Sequence, residues 1–181
     1  MNENTEVPIP KLNFTPDGDL IIKPSESSSE RDFDFFIGKW NLHNKKLQSR
    51  FTNCTTWTEF NSTQEMYPIL NGLGNIDNFL AEFDGKPFEG MSLRLFNPKT
   101  RLWSIYWSDS NTGVLDPPVS GFFENNIGHF FTKDVHEGKE IIMVFRWDVR
   151  DKNNPIWSQA CSMDKGLNWE WNWYMYMSKM L

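Results

Sequence analysis

Asp32-Phe33-Asp34-Phe35-Phe36-Ile37-Gly38-Lys39-Trp40 is the stretch whose reading decides the fold. Residues 31–37 are expected to form one helical turn, with Phe33, Phe36 and Ile37 on one side. Gly38 ends that turn, and Trp40 is the first large side chain of an extended run. Beyond it, apolar and polar residues alternate with the period of a strand, and no helix-length apolar stripe follows. A short apolar turn therefore leads into strand after strand.

Working outward, strands are expected near 39–49, 54–65, 74–83, 88–96, 101–109, 118–124, 127–134, 140–149, 155–163 and 168–178. Turn residues separate most of them: Asp84-Gly85-Lys86-Pro87, Asn97-Pro98-Lys99-Thr100, Asn125-Asn126 and Asp164-Lys165-Gly166. A meander of this length leaves two bare edges unless it closes on itself. The expected fold is all-β: a closed antiparallel up-and-down β-barrel of about ten strands, with the N-terminal helical turn plugging one end. Loops of a meander alternate between its ends. Those near 66–73, 97–100, 125–126 and 150–154 share the plugged end. The mouth lies opposite and carries the long loop Ser110-Asn111-Thr112-Gly113-Val114-Leu115-Asp116-Pro117.

Residues 31–181 form the barrel domain in this reading. Residues 1–30 are rich in Pro, Ser, Glu and Asn and read as a flexible tail, with Leu20-Ile21-Ile22 able to pin part of it to the body.

The formal charge of -6 and the lack of a basic run argue against nucleic acid and anionic membranes. Nine Trp and fifteen Phe suit a sheet with loaded faces. Met1 to Pro10 has no apolar export core, and no stretch reads as a transmembrane helix, so a cytoplasmic protein is expected. Asn13-Phe14-Thr15, Asn53-Cys54-Thr55 and Asn61-Ser62-Thr63 match glycosylation acceptors, which carry no meaning in that compartment. Cys54 and Cys161 fit no metal spacing and read as reduced thiols.

Phe35-Phe36-Ile37-Gly38-Lys39-Trp40 resembles the opening of lipocalin-like proteins. Leu70-Asn71-Gly72-Leu73-Gly74-Asn75, Gly90-Met91-Ser92-Leu93-Arg94-Leu95-Phe96-Asn97-Pro98, Trp103-Ser104-Ile105-Tyr106-Trp107 and Leu115-Asp116-Pro117-Pro118-Val119 resemble an uncharacterised bacterial family with that barrel. The resemblance covers residues 31–178. It implies a calycin-type barrel and no particular activity.

Strand faces supply the candidate site. Ile141, Met143, Phe145 and Trp147 share one side, and Ile142, Val144 and Arg146 the other. Trp169, Trp171, Trp173, Met175 and Met177 are expected to share a side as well. Arg94 and Arg146 lie mid-strand among apolar neighbours, where a charge needs a partner. Either one can fix a ligand carboxylate or similar group, or can belong to a structural ion pair. Glu59, Asp77, Gln159 and Glu170 are candidate polar partners. Trp107, Tyr106, Trp157 and Trp173 are candidates for an aromatic wall, and serve equally as ordinary core. Asp109, Asp116, Asp134 and His136 gather at the expected mouth, without a recognised catalytic or metal spacing. His43 and His129 read as structural.

No phosphate-cradling loop, nucleophile elbow or Cys/His cluster is present in the sequence. A haem barrel is disfavoured, because no histidine follows His136 to supply a late axial ligand. No cofactor and no metal are expected. The leading function is binding of a small, partly apolar ligand inside the barrel. The alternatives are an enzyme using carboxylate, Arg and His acid–base chemistry on a hydrophobic substrate, and a ligand-free homodimeric interaction module.

Overall fold

The computed structural model describes residues 7–180. Two short strands, β1 (Asn13–Phe14) and β2 (Leu20–Ile21), pair with each other. Ten longer strands follow: β3 (Gly38–Leu47), β4 (Trp57–Ile69), β5 (Gly74–Phe83), β6 (Lys86–Asn97) and β7 (Leu102–Asp109), then β8 (Val119–Glu124), β9 (Ile127–His136), β10 (Lys139–Asp148), β11 (Ile156–Ser162) and β12 (Glu170–Lys179). They close into one antiparallel barrel in chain order, with β12 beside β3 from Trp173↔Lys46 to Lys179↔Trp40. That last pairing removes both edges.

Turn chemistry fixes the register. Asp84-Gly85, Asn125-Asn126 and Glu137-Gly138 each place two successive residues at positive φ. This is the tight hairpin turn whose twist matches that of the flanking strands. Phe83↔Lys86 at the first of these sets Asn75 opposite Arg94 and Asp77 opposite Ser92.

The expected helical turn is shorter than the periodicity implied. It is a single 3-10 turn, Asp34–Phe36, and the described residues contain no α-helix. Its side chains nevertheless fill one end of the barrel. Phe33, Phe36 and Trp40 are buried. Phe33 meets Trp103, Phe123 and Trp147 edge-on, with ring centroids 4.9, 5.1 and 5.7 Å away. Such edge-to-face contacts suit the ring quadrupoles. Trp40 Nε1 donates to the Phe36 carbonyl at 2.8 Å, so the indole that closes the floor also anchors the turn above it.

The segment leading into the turn is held by polar contacts. The Asp32 carboxylate accepts from Ser28 Oγ at 2.9 Å, the Ser29 backbone N–H at 3.0 Å and Trp103 Nε1 at 3.2 Å. Arg101 donates to the carbonyls of Ser28, at 2.8 Å, and Glu26. Burial pushes the Asp32 carboxyl above its usual value despite these donors.

Residues 1–30 read as a tail by composition, but from Val7 onward the chain is laid against the barrel. Ile9, Leu12, Leu20 and Ile22 pack with Trp169 and Trp171 over Phe131, Val144 and Ala160 on the outer wall. Residues 1–6 lie outside the described residues. The doubly apolar strand β10 now has an explanation: its inner face fills the lumen, and its outer face is roofed by this segment.

The expected single face of Trp169, Trp171, Trp173, Met175 and Met177 is broken by a β-bulge. Gln159 pairs with Trp173, but Ala160 pairs with Trp171, leaving Asn172 as the extra residue. Trp173 and Met175 therefore face the lumen, while Trp169 and Trp171 face outward beneath the N-terminal segment.

Candidate functional site: the barrel lumen

Above the aromatic floor the barrel encloses a cavity of about 220 Å³. Its walls carry Phe79, Trp107, Met143, Phe145, Trp157, Trp173 and Met175. Trp157 meets Trp173 edge-on at 5.6 Å, and Phe145 lies 5.0 Å from Trp157. Trp173 is held in place from two sides. Its Nε1 donates to Asn44 Oδ1 at 3.1 Å, and Lys46 Nζ lies 4.2 Å from its ring centroid. A cation over an indole face is attracted by the ring quadrupole. Burial, with Arg50 nearby, holds the Lys46 ammonium below its usual pKa.

The rim is made by the long loop before β8. Strands β7 and β8 pair only at Trp103↔Gly121, Ser104↔Ser120 and Ile105↔Val119. Beyond Ile105 the loop takes over the wall, with the Asp116 N–H donating to the Trp107 carbonyl at 2.8 Å. Asp116 and Pro117 line the cavity there, at the end away from the aromatic plug.

The floor carries Gln64, Arg94 and Trp147. Arg94 and Asp77 form a buried ion pair, their side chains only 3% and 0% exposed. Arg94 Nη1 also donates to Asn75 Oδ1 at 3.0 Å. The guanidinium lies 5.1, 5.6 and 5.7 Å from the ring centroids of Phe33, Phe36 and Trp147. Removing two charges from water is costly, and only close pairing and added hydrogen bonds offset it. Asp77, Asn75 and three aromatic rings supply that compensation here.

The candidate residues divide between two faces. Arg94, Trp107, Trp157, Gln159 and Trp173 line the lumen, and Asp77 joins them through Arg94. Gln159 Nε2 donates to Asn172 Oδ1 at 2.8 Å, which ties it to the bulge. Tyr106 is half-buried on the opposite face of β7 from Ile105 and Trp107. Glu59 is exposed and bonds His43 at 3.0 Å and Lys45 at 3.3 Å. Arg146 lies on the outer wall, 4.3 Å from the Trp171 ring centroid, and donates to the Val7 carbonyl at 3.3 Å. It belongs to the roofed surface and not to the lumen.

His129 is buried beside Arg146 on that same wall, stacked 6.2 Å from Phe131. Burial, reinforced by the Arg146 charge, pushes its pKa down to about 4. The polar residues expected at the mouth do not converge. Asp109 caps its own loop by accepting from the Asn111 N–H at 2.9 Å, Asp134 accepts from the Val135 N–H, and His136 packs on Phe51. Among the described residues no three His, Cys, Asp or Glu side chains stand close enough to hold a metal ion.

Sequence reasoning missed Gln64, Asn75, Phe79 and Trp147 as members of the site. A signal existed for Asn75: the Asp84-Gly85 hairpin places it directly across from Arg94. Gln64 is a polar residue at an inward position of β4, between Ser62 and Met66, and the same alternation marks it.

No protein-family model matches the chain, and no curated protein is significantly similar to it. The functional reading rests on the geometry of the lumen.

Proposed function

We propose that this chain is a lipocalin-like binding barrel whose lumen takes a small, partly apolar molecule in the cytoplasm. One observation carries the reading. A cavity of about 220 Å³, walled by aromatic and Met side chains, sits over a buried polar cluster at its floor. Ligand sites are commonly concave and mostly apolar, with a few placed polar groups that fix orientation. An engineered apolar cavity of ~150 Å³ holds benzene, so this lumen suits a molecule of one or two rings.

Binding is preferred over acid–base catalysis because the lumenal carboxylate Asp77 is engaged by Arg94, and Asp116 stands at the rim. Native mass spectrometry of the purified protein tests the proposal, together with titration of one- and two-ring aromatic probes followed by tryptophan emission. The expected result is one saturable site, lost in a Ser92→Leu variant that fills the lumen and keeps the fold. Absence of saturable binding in the parent protein overturns the reading.

A further inference from the structure

Besides Asp77 Oδ2, which faces Arg94 in the ion pair, three buried polar atoms at the floor of the lumen have no hydrogen-bond partner among the described residues: Arg94 Nε, Trp147 Nε1 and Gln64 Oε1. All three belong to residues that line the same cavity. Buried polar atoms without partners are rare in native proteins, because each costs its full desolvation. Two of these are donors and one is an acceptor. Together they match a group that offers an acceptor oxygen beside an N–H or O–H.

The charge of the floor narrows the chemistry further. Arg94 is a cation, but Asp77 already neutralises it, and Asn75 takes another of its hydrogen bonds. The pair is buried and neutral as a whole. A ligand carboxylate would add an unbalanced negative charge in a place closed to water, which is expensive. A neutral polar group avoids that cost and still meets the donors.

The walls set the shape. Trp107, Phe145, Trp157 and Trp173 surround the space above the floor. Aromatic walls favour flat rings, through stacking and edge-to-face contacts.

Accepting that the lumen is a binding site, we infer that its ligand is an uncharged, flat one- or two-ring molecule with a carbonyl beside an N–H or O–H. A cyclic amide is the simplest case. The carbonyl accepts from Arg94 Nε and Trp147 Nε1, the N–H donates to Gln64 Oε1, and the ring body rests among the indoles. The Arg94–Asp77 pair then acts as a neutral floor that excludes acids, and it does not serve as a carboxylate clamp.

Three probes of similar size separate the possibilities by calorimetric titration: carbostyril (a bicyclic lactam), naphthalene and naphthoate. Carbostyril is expected to bind at least about tenfold more tightly than either of the others, as one or two satisfied buried hydrogen bonds would give. Gln64→Leu removes the side-chain amide with its Oε1, Trp147→Phe removes the indole N–H, and each keeps most of the bulk. Each is expected to weaken carbostyril about tenfold more than it weakens naphthalene, whose continued saturation reports that the lumen is intact. If naphthalene matches carbostyril, or naphthoate exceeds it, the inference is overturned and the binding barrel survives. If none of the three saturates, both fall.

Discussion

The indole of Trp107 lies in the space that a Cβ on Gly90 would occupy. Gly90 faces inward on β6, and Trp107 reaches across from β7 to cover it. The absence of a side chain at one position therefore sets where an aromatic wall of the lumen stands. Gly90→Ala should force the ring away and cost about 1–3 kcal/mol, as overpacking of a filled core does. Urea denaturation gives the loss, and a shift in tryptophan emission reports the displaced ring. Unchanged stability and emission would show that the ring does not rest on Gly90.

Asp77 and Arg94 should behave as one unit. Asp77→Asn leaves a buried guanidinium without its counter-charge and is expected to cost roughly 3–5 kcal/mol. Asp77→Asn combined with Arg94→Met should cost clearly less than the sum of the two single changes. A double-mutant cycle in urea measures the coupling, and additive losses would mean that the pair is not coupled.

Trp40 closes the floor and bonds the turn above it. Trp40→Ala is expected to lower stability by roughly 3–5 kcal/mol, in line with other buried aromatics cut to Ala. Trp40→Phe keeps most of the area and loses the bond to the Phe36 carbonyl, so its cost should be near 1–2 kcal/mol. The thermal midpoints of the two variants, set beside the parent, give the order.

A chain beginning at Pro24 lacks Ile9, Leu12, Leu20 and Ile22, which roof the outer wall. It should lose about 2 kcal/mol or more, since each apolar side chain uncovered costs on the order of 1 kcal/mol. Hydrogen exchange in β9, β10 and β11 should rise with it. An unchanged midpoint would show that the roof adds nothing to the stability of the barrel.

His129 gives a pH dependence with a defined sign. Its pKa is about 4 in the folded chain, against 6.5 for the ordinary side chain. The unfolded chain therefore binds a proton that the folded chain refuses across that window. Stability is full above pH 6.5 and falls as the pH drops toward 4, by about 1.4 kcal/mol per pH unit at most for one proton. His129→Gln should flatten the slope in that window. A slope that persists unchanged would assign it to carboxylates instead.

The barrel was legible because closure follows from a count of short-linked strands, and the plugged end from the direction of the chain at Gly38-Lys39-Trp40. Alternation grouped Trp107 with Ile105 and Trp147 with Phe145, but with both faces of these strands apolar it did not say which face is lumenal. The place of Arg146 was hidden for the same reason: Ile142, Val144 and Arg146 look as apolar in sequence as the inner face does, and only the packing of Ile9 and Leu12 shows which face is roofed. Glu59 misled for the opposite reason. A mid-strand carboxylate looks buried until His43 and Lys45 are seen beside it on the exposed side. The length of the N-terminal turn also escaped, because three or four apolar residues cannot tell a 3-10 turn from an α-helical one.

The bulge at Asn172 has a consequence for how β12 is divided. Trp171 and Trp173 are two residues apart in sequence, yet the thickness of the barrel wall stands between them. One sees the N-terminal roof and the other the lumen, so the two indoles act as independent probes of outside and inside. The partition does not depend on hydrophobicity, which is alike at both positions. It depends on strand length: one supernumerary residue sorts a run of like side chains into two compartments. Were Asn172 paired in unbroken alternation instead, Trp171 would fall on the same lumenal face as Trp173.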